Sequence, residues 1–307
     1  MNNPSTAPGW GVYARIIGMV SFWGASYSWA RIVSAALPPV SAACLRFLLA
    51  AGAMLLWLHH LRRLRHLFGL SWRQWGGLII AALVGIVAYT LCFMYGMRYI
   101  AASRAAVLFA LNPVLTLLMA ALIFRERLNG LILGGMLLAV AGSIIVVSQG
   151  QPLSLFTGGL GRGELLVVGC IVCWTAYTLM GRKILAGMDA LSTTVATLLL
   201  GALLLLPISL LVEGTEGYLA LLNAPLPVWA ALLALTIGST CLAYAWYFEG
   251  VRLLGAGTTA GYLTLEPLAG VLLAALFLGE ELHFTLIGGG LVAMLGMLLM
   301  YLGRRRF

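Results

Sequence analysis

Charge is scarce in this chain, and what is missing narrows the chemistry. Asp189 is the single aspartate, so a paired-aspartate intramembrane protease is excluded. The four histidines, His59, His60, His66 and His283, sit at the ends of apolar runs or between them, which argues against a buried Ser/His dyad or a histidine metal site. No glycine-rich phosphate loop is present and no polar stretch is long enough for a soluble catalytic domain, so ATP-driven pumping has no motor. All five cysteines, Cys44, Cys92, Cys170, Cys173 and Cys241, fall inside apolar runs, which leaves no secreted disulfide framework. Cys170 and Cys173 form a C-x-x-C, but no second pair lies nearby and packing is the preferred reading. The expectation is therefore no catalytic residue, no metal and no cofactor.

What the chain has instead is hydrocarbon. It is 62% hydrophobic and 9% charged, with a mean hydropathy of +1.04, against about 45–50% apolar and about 25% charged in soluble domains. A helix needs about 20 apolar residues to cross about 30 Å of hydrocarbon. Ten such runs can be read, at 12–34, 39–58, 75–97, 103–124, 130–148, 163–184, 190–211, 227–249, 256–277 and 284–303. The first lacks a small-residue cleavage site beyond a short apolar core and reads as a retained helix rather than a signal peptide.

A net charge of +9 would suggest nucleic acid for a soluble protein, but the placement of the basic residues fits the positive-inside rule and no nucleic-acid partner is expected. With both termini cytoplasmic, that side receives Arg15, Arg62, Arg63, Arg65, Arg73, Arg125, Arg127, Arg182, Lys183, Arg252 and Arg304 to Arg306. Arg31, Arg98, Arg104 and Arg162 fall on the outer side, and Arg46 lies within a span.

Scarce residue types recur at a constant offset. Trp75, Gly96, Arg98, Pro113, Glu126, Gly134, Gly135 and Gly142 return as Trp229, Gly250, Arg252, Pro267, Glu280, Gly288, Gly289 and Gly296. At a slightly smaller offset, Gly18, Trp23, Arg31 and Ser41 return as Gly169, Trp174, Arg182 and Ser192. Such matches among Trp, Pro, Glu and Arg point to a duplication, with halves at 1–150 and 151–307. Each half holds five runs, so the second must lie inverted relative to the first, the arrangement of many secondary transporters. Inversion also accounts for Arg31 and Arg98 facing outward, since their counterparts Arg182 and Arg252 face inward. The expected fold is an all-α membrane protein of ten transmembrane helices in two inverted five-helix repeats.

Ionisable groups deep in a membrane are expensive, and two remain inside spans: Glu266 and Arg46. An apolar cavity disfavours an ionised carboxylate, so Glu266 could load and release a proton or bind substrate. Arg46 could contact substrate or snorkel toward the outer headgroups. The two depths are close enough to meet. Pro113 and Pro267 are repeat counterparts in mid-span, and each removes the bond to the carbonyl four residues earlier, at Phe109 and Leu263. Asn112 and Glu266 precede them, which points to a site at the junction of the halves. Trp23, Tyr27, Tyr89, Phe93, Trp174, Tyr177, Tyr244, Tyr247 and Tyr262 could line a pocket, although lipid-facing or packed aromatics would be spaced alike. Glu249 and Arg252 are spaced as an intrahelical pair, and Glu126, Glu280 and Glu281 as junction or capping residues. The stripes Gly135, Ala139, Gly142 and Gly289, Ala293, Gly296 suit close helix packing, within one chain or between two, and the oligomeric state stays open.

Trp23-Gly24, Pro38-Pro39 with Leu45-Arg46-Phe47, Tyr95-Gly96, Ala105-Ala106, Pro113 and Phe124-Arg125-Glu126-Arg127-Leu128 resemble the EamA family of the drug/metabolite transporter superfamily. Glu266-Pro267 and Leu278-Gly279-Glu280-Glu281-Leu282 look like the second-copy counterparts. The resemblance implies ten helices around a central cavity lined by the first, third, fourth, sixth, eighth and ninth spans. It also implies export of amino acids or related metabolites across a bacterial inner membrane, as in YddG-type exporters. The leading reading is a secondary transporter of a small molecule working by alternating access, with proton coupling or plain facilitation both open. The alternatives are an importer of a similar solute, a membrane scaffold and a membrane-embedded enzyme.

Overall fold

The computed structural model describes residues 10–62, 70–125, 128–151, 160–184 and 190–304. Expectations placed on Arg63, Arg65, His66, Glu126, Arg127, Asp189, Arg305 and Arg306, and on the side chains of Arg182 and Lys183, lie outside the described residues.

Among the described residues every regular element is a helix. In chain order they are α1 (Trp10–Ala36), α2 (Pro39–His60), α3 (Trp72–Tyr99), α4 (Ala102–Phe124), α5 (Gly130–Val147), α6 (Arg162–Ile184), α7 (Ala190–Val212), the short α8 (Gly214–Leu222), α9 (Leu226–Leu254), α10 (Thr258–Leu278) and α11 (Phe284–Arg304). Nine of the described helices are long and apolar enough to cross a membrane; α1, expected as the tenth, is not among them. At 27 residues it is long enough. Its shortfall is in apolarity, because Arg15, Ser21, Ser26, Ser28, Arg31 and Ser34 dilute the run. Ser28 and Ser34 are fully buried, so this polarity is turned toward other helices.

Local sequence explains the helix starts. Pro39 stands in the first turn of α2, where a missing donor is harmless. Ser71 and Gln74 form a reciprocal capping box on α3. Asn129 caps α5 by accepting from the Ile132 N–H at 2.9 Å. The ends of α4 and α10 are left-handed at repeat-matched positions, Arg125 with φ 56° and Gly279 with φ 63°. Glycine fits that conformation without a Cβ penalty; arginine adopts it at some cost.

Regular α-helix fails at matched places too. A π-helical segment occupies Leu83–Ala88 of α3 and another Ala234–Leu242 of α9. In α4 the helix loosens at Phe109 and Ala110, and in α10 it tightens to a 3₁₀ turn at Leu263–Leu265. Both breaks lie just ahead of the paired prolines.

Helices pack chiefly as α5 with α11, α2 with α7, α3 with α6, and α1 with both α9 and α10. The glycine stripes resolve the first contact, and resolve it within one chain. A Cβ on Gly135 would stand 2.6 Å from the Gly296 carbonyl oxygen and 2.7 Å from the Met300 nitrogen; one on Gly289 would stand 2.7 Å from the Gly142 carbonyl oxygen. Gly135 meeting Gly296 while Gly142 meets Gly289 makes the two helices antiparallel, each using the same residues of its stripe.

One rim of the bundle, the one expected to face outward, is tied by caps that cross between helices distant in sequence. The Glu213 carboxylate accepts from the N–H groups of Val40 and Ser41, at 3.0 and 2.7 Å, at the start of α2. Glu280 does the same for Ala102 and Ser103 of α4, at 2.9 and 3.0 Å, and accepts from the Ser103 hydroxyl. Guanidiniums serve the opposite helix ends. Arg98 donates to Ser34 and Leu37 carbonyls after α1, Arg31 to Met97 and Ile100 after α3, and Arg104 to Val147 of α5 while pairing with Glu164 of α6 at 2.9 Å. Anions at helix N-termini and cations at C-termini match the helix dipole. Three of the four arginines expected on the outer side are thereby accounted for as caps.

Two stability predictions follow from this packing. Gly135→Leu should destabilise the protein by about 3 kcal/mol, because backbone rather than movable side chain meets the new atoms. Gly134→Leu, with nothing within 4 Å of its Cβ, should leave thermal unfolding in detergent unchanged. Glu280→Ala should cost about 2 kcal/mol by uncapping α4; equal unfolding midpoints for variant and parent would show the cap to be idle.

Candidate functional site

Two glycines set the site. A Cβ on Gly24 of α1 would lie 2.7 Å from the Gly270 nitrogen of α10, and one on Gly270 would lie 2.5 Å from the Ala106 side chain of α4. The backbones therefore touch, and one turn away on each helix stand Tyr27 and Glu266. The Tyr27 hydroxyl donates to the Glu266 carboxylate at 2.7 Å. Tyr27 is 2% exposed, so its hydroxyl has the protein as its only partner. Glu266 is half-buried and keeps a free oxygen. No basic residue lies within ion-pair distance of it among the described residues.

Aromatic rings wall this carboxylate. Tyr27 packs on Phe93 and Phe109, with centroids 6.0 and 5.2 Å away. Tyr89 stacks on Phe93 at 5.9 Å and meets Trp174 at 5.7 Å, and Trp174 meets Tyr177 at 5.7 Å. Phe109, noted in the sequence only for its carbonyl, closes the group with its ring against Phe93 at 6.2 Å. Trp23 belongs to a second group, with Tyr244 at 5.6 Å and Tyr247 at 5.7 Å, and its indole N–H donates to the Ser239 carbonyl at 3.0 Å. That carbonyl lies in the π segment of α9, where the regular ladder is loosened. Tyr262 packs in the apolar cluster that holds Trp23, Trp246 and Tyr247, apart from the Tyr27 group. Each repeat tryptophan thus reaches across the duplication: Trp23 of α1 onto α9, Trp174 of α6 onto α3.

Arg46 does not meet Glu266, and it does not snorkel outward. Its Nη2 donates to the Thr240 hydroxyl of α9 at 3.0 Å, its guanidinium lies 5.0 Å over the Phe47 ring, and its Nε is buried without a partner. Tyr89 and Tyr244 stand within electrostatic range of both Arg46 and Glu266, so the two charges face one aromatic wall without neutralising each other. Asn112 has a different neighbourhood from its counterpart Glu266. Its side-chain oxygen accepts from Thr116 at 3.3 Å, and Thr116 bonds Thr175 of α6 at 3.1 Å.

The paired prolines do break their helices, but the carbonyls they release are not left free. Phe109 O accepts from the Asn112 N–H at 3.0 Å, and Leu263 O accepts from the Glu266 N–H. A tighter turn replaces the lost bond in both copies, so Pro113 and Pro267 shape the site without lending it acceptors. Glu249 pairs with Arg15 at 2.8 Å rather than with Arg252 as its spacing suggested, because α1 passes beside α9 at that level.

The chain resembles known proteins along almost its whole length. It is 27% identical over 287 residues to the uncharacterized transporter YyaM of Bacillus subtilis (strain 168), covering 94% of this chain and 92% of the relative. It is 26% identical over 226 residues to a probable terminal-alkyne amino-acid exporter of Streptantibioticus cattleyicolor, covering 72% of each. A crystal structure of a protein 20% identical in sequence superposes with a TM-score of 0.64, covering 96% of this chain and 98% of that one, which shows the fold alone. The family described as EamA-like transporters matches twice, at residues 10–148 and again at 161–302, and the chain belongs to that family.

Proposed function

We propose that this transporter exports amino acids or related small metabolites from the bacterial cytoplasm by alternating access. Its two inverted five-helix halves, 1–150 and 151–307, with α1 as the tenth span, rock about the site at Glu266. The double family match and the antiparallel contact of α5 with α11 support the inverted duplication. The amino-acid exporter among the relatives supports the substrate class and the direction. Both termini are read as cytoplasmic, in an inner membrane, from the placement of the basic residues.

One observation carries the reading. A half-buried carboxylate, Glu266, and a half-buried guanidinium, Arg46, both lie within electrostatic range of Tyr89 and Tyr244, and neither is paired with the other. A charge in a membrane interior persists only if something satisfies it. An amino acid supplies both partners at once: its ammonium for Glu266, its carboxylate for Arg46, and its side chain for Tyr89, Phe93 and Trp174, whose ring faces also favour a cation. Proton coupling would use the same carboxylate, released from Tyr27 and reloaded in each cycle. The tied outer rim supports a conformation closed to the outside.

In reconstituted vesicles, Glu266→Gln should cut efflux of an accepted amino acid about tenfold, the factor expected for one weakened charge-assisted hydrogen bond. Efflux by the variant should also lose its dependence on pH, while thermal unfolding stays at the parental midpoint. Unchanged flux with unchanged pH dependence would end the coupling role. Single cysteines at Arg62 and Thr215 should react with an impermeant maleimide from the cytoplasmic side and the outer side respectively; the reverse pattern would overturn the orientation.

A further inference from the structure

Three thiols gather on the outer half of the α3–α6 contact, away from Glu266. Cys92 of α3 and Cys170 of α6 lie within electrostatic range of each other, and Cys173, one turn further along α6, lies within range of Cys92. The Cys170 thiol also donates to the Tyr89 carbonyl at 3.5 Å. Gly169 brings the helices together there. A Cβ at that position would stand 3.2 Å from the Cys92 sulfur and 3.8 Å from its Cβ.

The geometry points to Cys92 and Cys170 as a redox-active pair that a peroxide converts to a disulfide, bolting α3 of the first half to α6 of the second. A disulfide needs Cβ atoms about 3.5–4.5 Å apart. Residues three apart on a helix hold theirs at about 5–6 Å, so Cys170 and Cys173 are poorly placed to close on each other despite their C-x-x-C spacing. Cys92 lies against Gly169, the residue before Cys170, and the Cys170 thiol reaches the carbonyl of Tyr89, one turn before Cys92 on α3. Access follows from a groove of about 470 Å³ beside the pair, lined by Leu91, Cys92, Tyr95, Arg162 and Leu165 among others. Cys92 is half-buried at its wall, while Cys170 lies buried behind it.

The chemistry closes without a cofactor. The Cys92 sulfur attacks one peroxide oxygen, the O–O bond breaks, and a sulfenic acid and one water form. The Cys170 sulfur then attacks the sulfenic sulfur, the S–O bond breaks, and a second water carries off the remaining thiol proton and the hydroxyl. Two thiols are oxidised by two electrons and one peroxide is reduced to two waters.

The test needs no transported substrate. Protein purified in detergent is treated with hydrogen peroxide, its free thiols are alkylated, and its peptides are mapped by mass spectrometry. We expect one linked pair, Cys92 with Cys170, two hydrogens lighter than the separate peptides, lost on adding dithiothreitol, with Cys173 alkylated. Recovery of Cys92 and Cys170 as alkylated or sulfinic residues, or a link to Cys173, would overturn the proposal. The oxidised protein should unfold at a higher temperature than the reduced one. Cys92→Ser and Cys170→Ser should each abolish that difference while unfolding like the reduced parent. An equal midpoint for oxidised and reduced parent would refute the bolt. That the bond arrests transport rests on the alternating-access reading. Continued flux through protein mapped as cross-linked would count against rocking halves and leave the thiol chemistry standing.

Discussion

Lipid offers a backbone no hydrogen bonds, and that constraint organises this molecule. In hydrocarbon an unpaired N–H or C=O costs several kcal/mol, so every helix end or break near the membrane must find a partner in the protein. Here the partners come from far along the chain. Glu213 closes the start of α2 and Glu280 the start of α4. Arg98 and Arg31 close the ends of α1 and α3, and Trp23 takes up a carbonyl of the π segment in α9. Apolar contact between helices gains little over contact with lipid tails, so these polar ties and the glycine seams fix which helices are neighbours. The Tyr27–Glu266 bond is of the same kind, a polar group of one helix answered by another, except that one carboxylate oxygen is left over.

Much of this was legible in the sequence because the informative residues are rare. Trp, Pro, Glu and Arg stand out in a chain rich in Leu and Ala, so the duplication could be followed and Glu266 found. Helix positions followed from hydropathy, which tracks the cost of transfer to lipid. The first helix also stands where its run was read, but its polar residues leave it short of the apolarity of the other spans. Glu280 could be read as a junction or capping residue, but not which helix it and Glu213 cap, because each bond joins positions more than a hundred residues apart. The π segments had no marker, as Leu, Val, Ala and Ile serve either helix form. Phe109 was read only for its carbonyl, and nothing in the sequence showed that the loosened turn at Phe109 and Ala110 sets its ring against Tyr27. Cys170 drew notice through the wrong partner, for spacing along one helix says nothing of what a second helix presents.

The two copies differ most where it matters for chemistry. At one break Asn112 is engaged by Thr116, which leads on to Thr175, a neutral chain confined to α4 and α6. At the matching break Glu266 is engaged by Tyr27 alone. An amide satisfied by hydroxyls is indifferent to protons, whereas a carboxylate held by a single phenol is not. The bend recurs at both prolines, and the residue beside each makes one bend neutral and leaves the other ionisable.

The glycine seam of α5 and α11 has a geometric consequence. Gly135 touches Gly296 and Gly142 touches Gly289, so exchanging the roles of the two stripes maps this contact onto itself. Such a contact can lie on the axis that relates the copies. The Tyr27–Glu266 bond has no equal on the other side, and a rearrangement that swapped the shapes of the halves would have to dismantle it. The seam could be kept through the swap with its atoms in place. Under the proposed alternating access, glycine and alanine at that surface would make it a fulcrum, flat enough to turn on and too tight to slide.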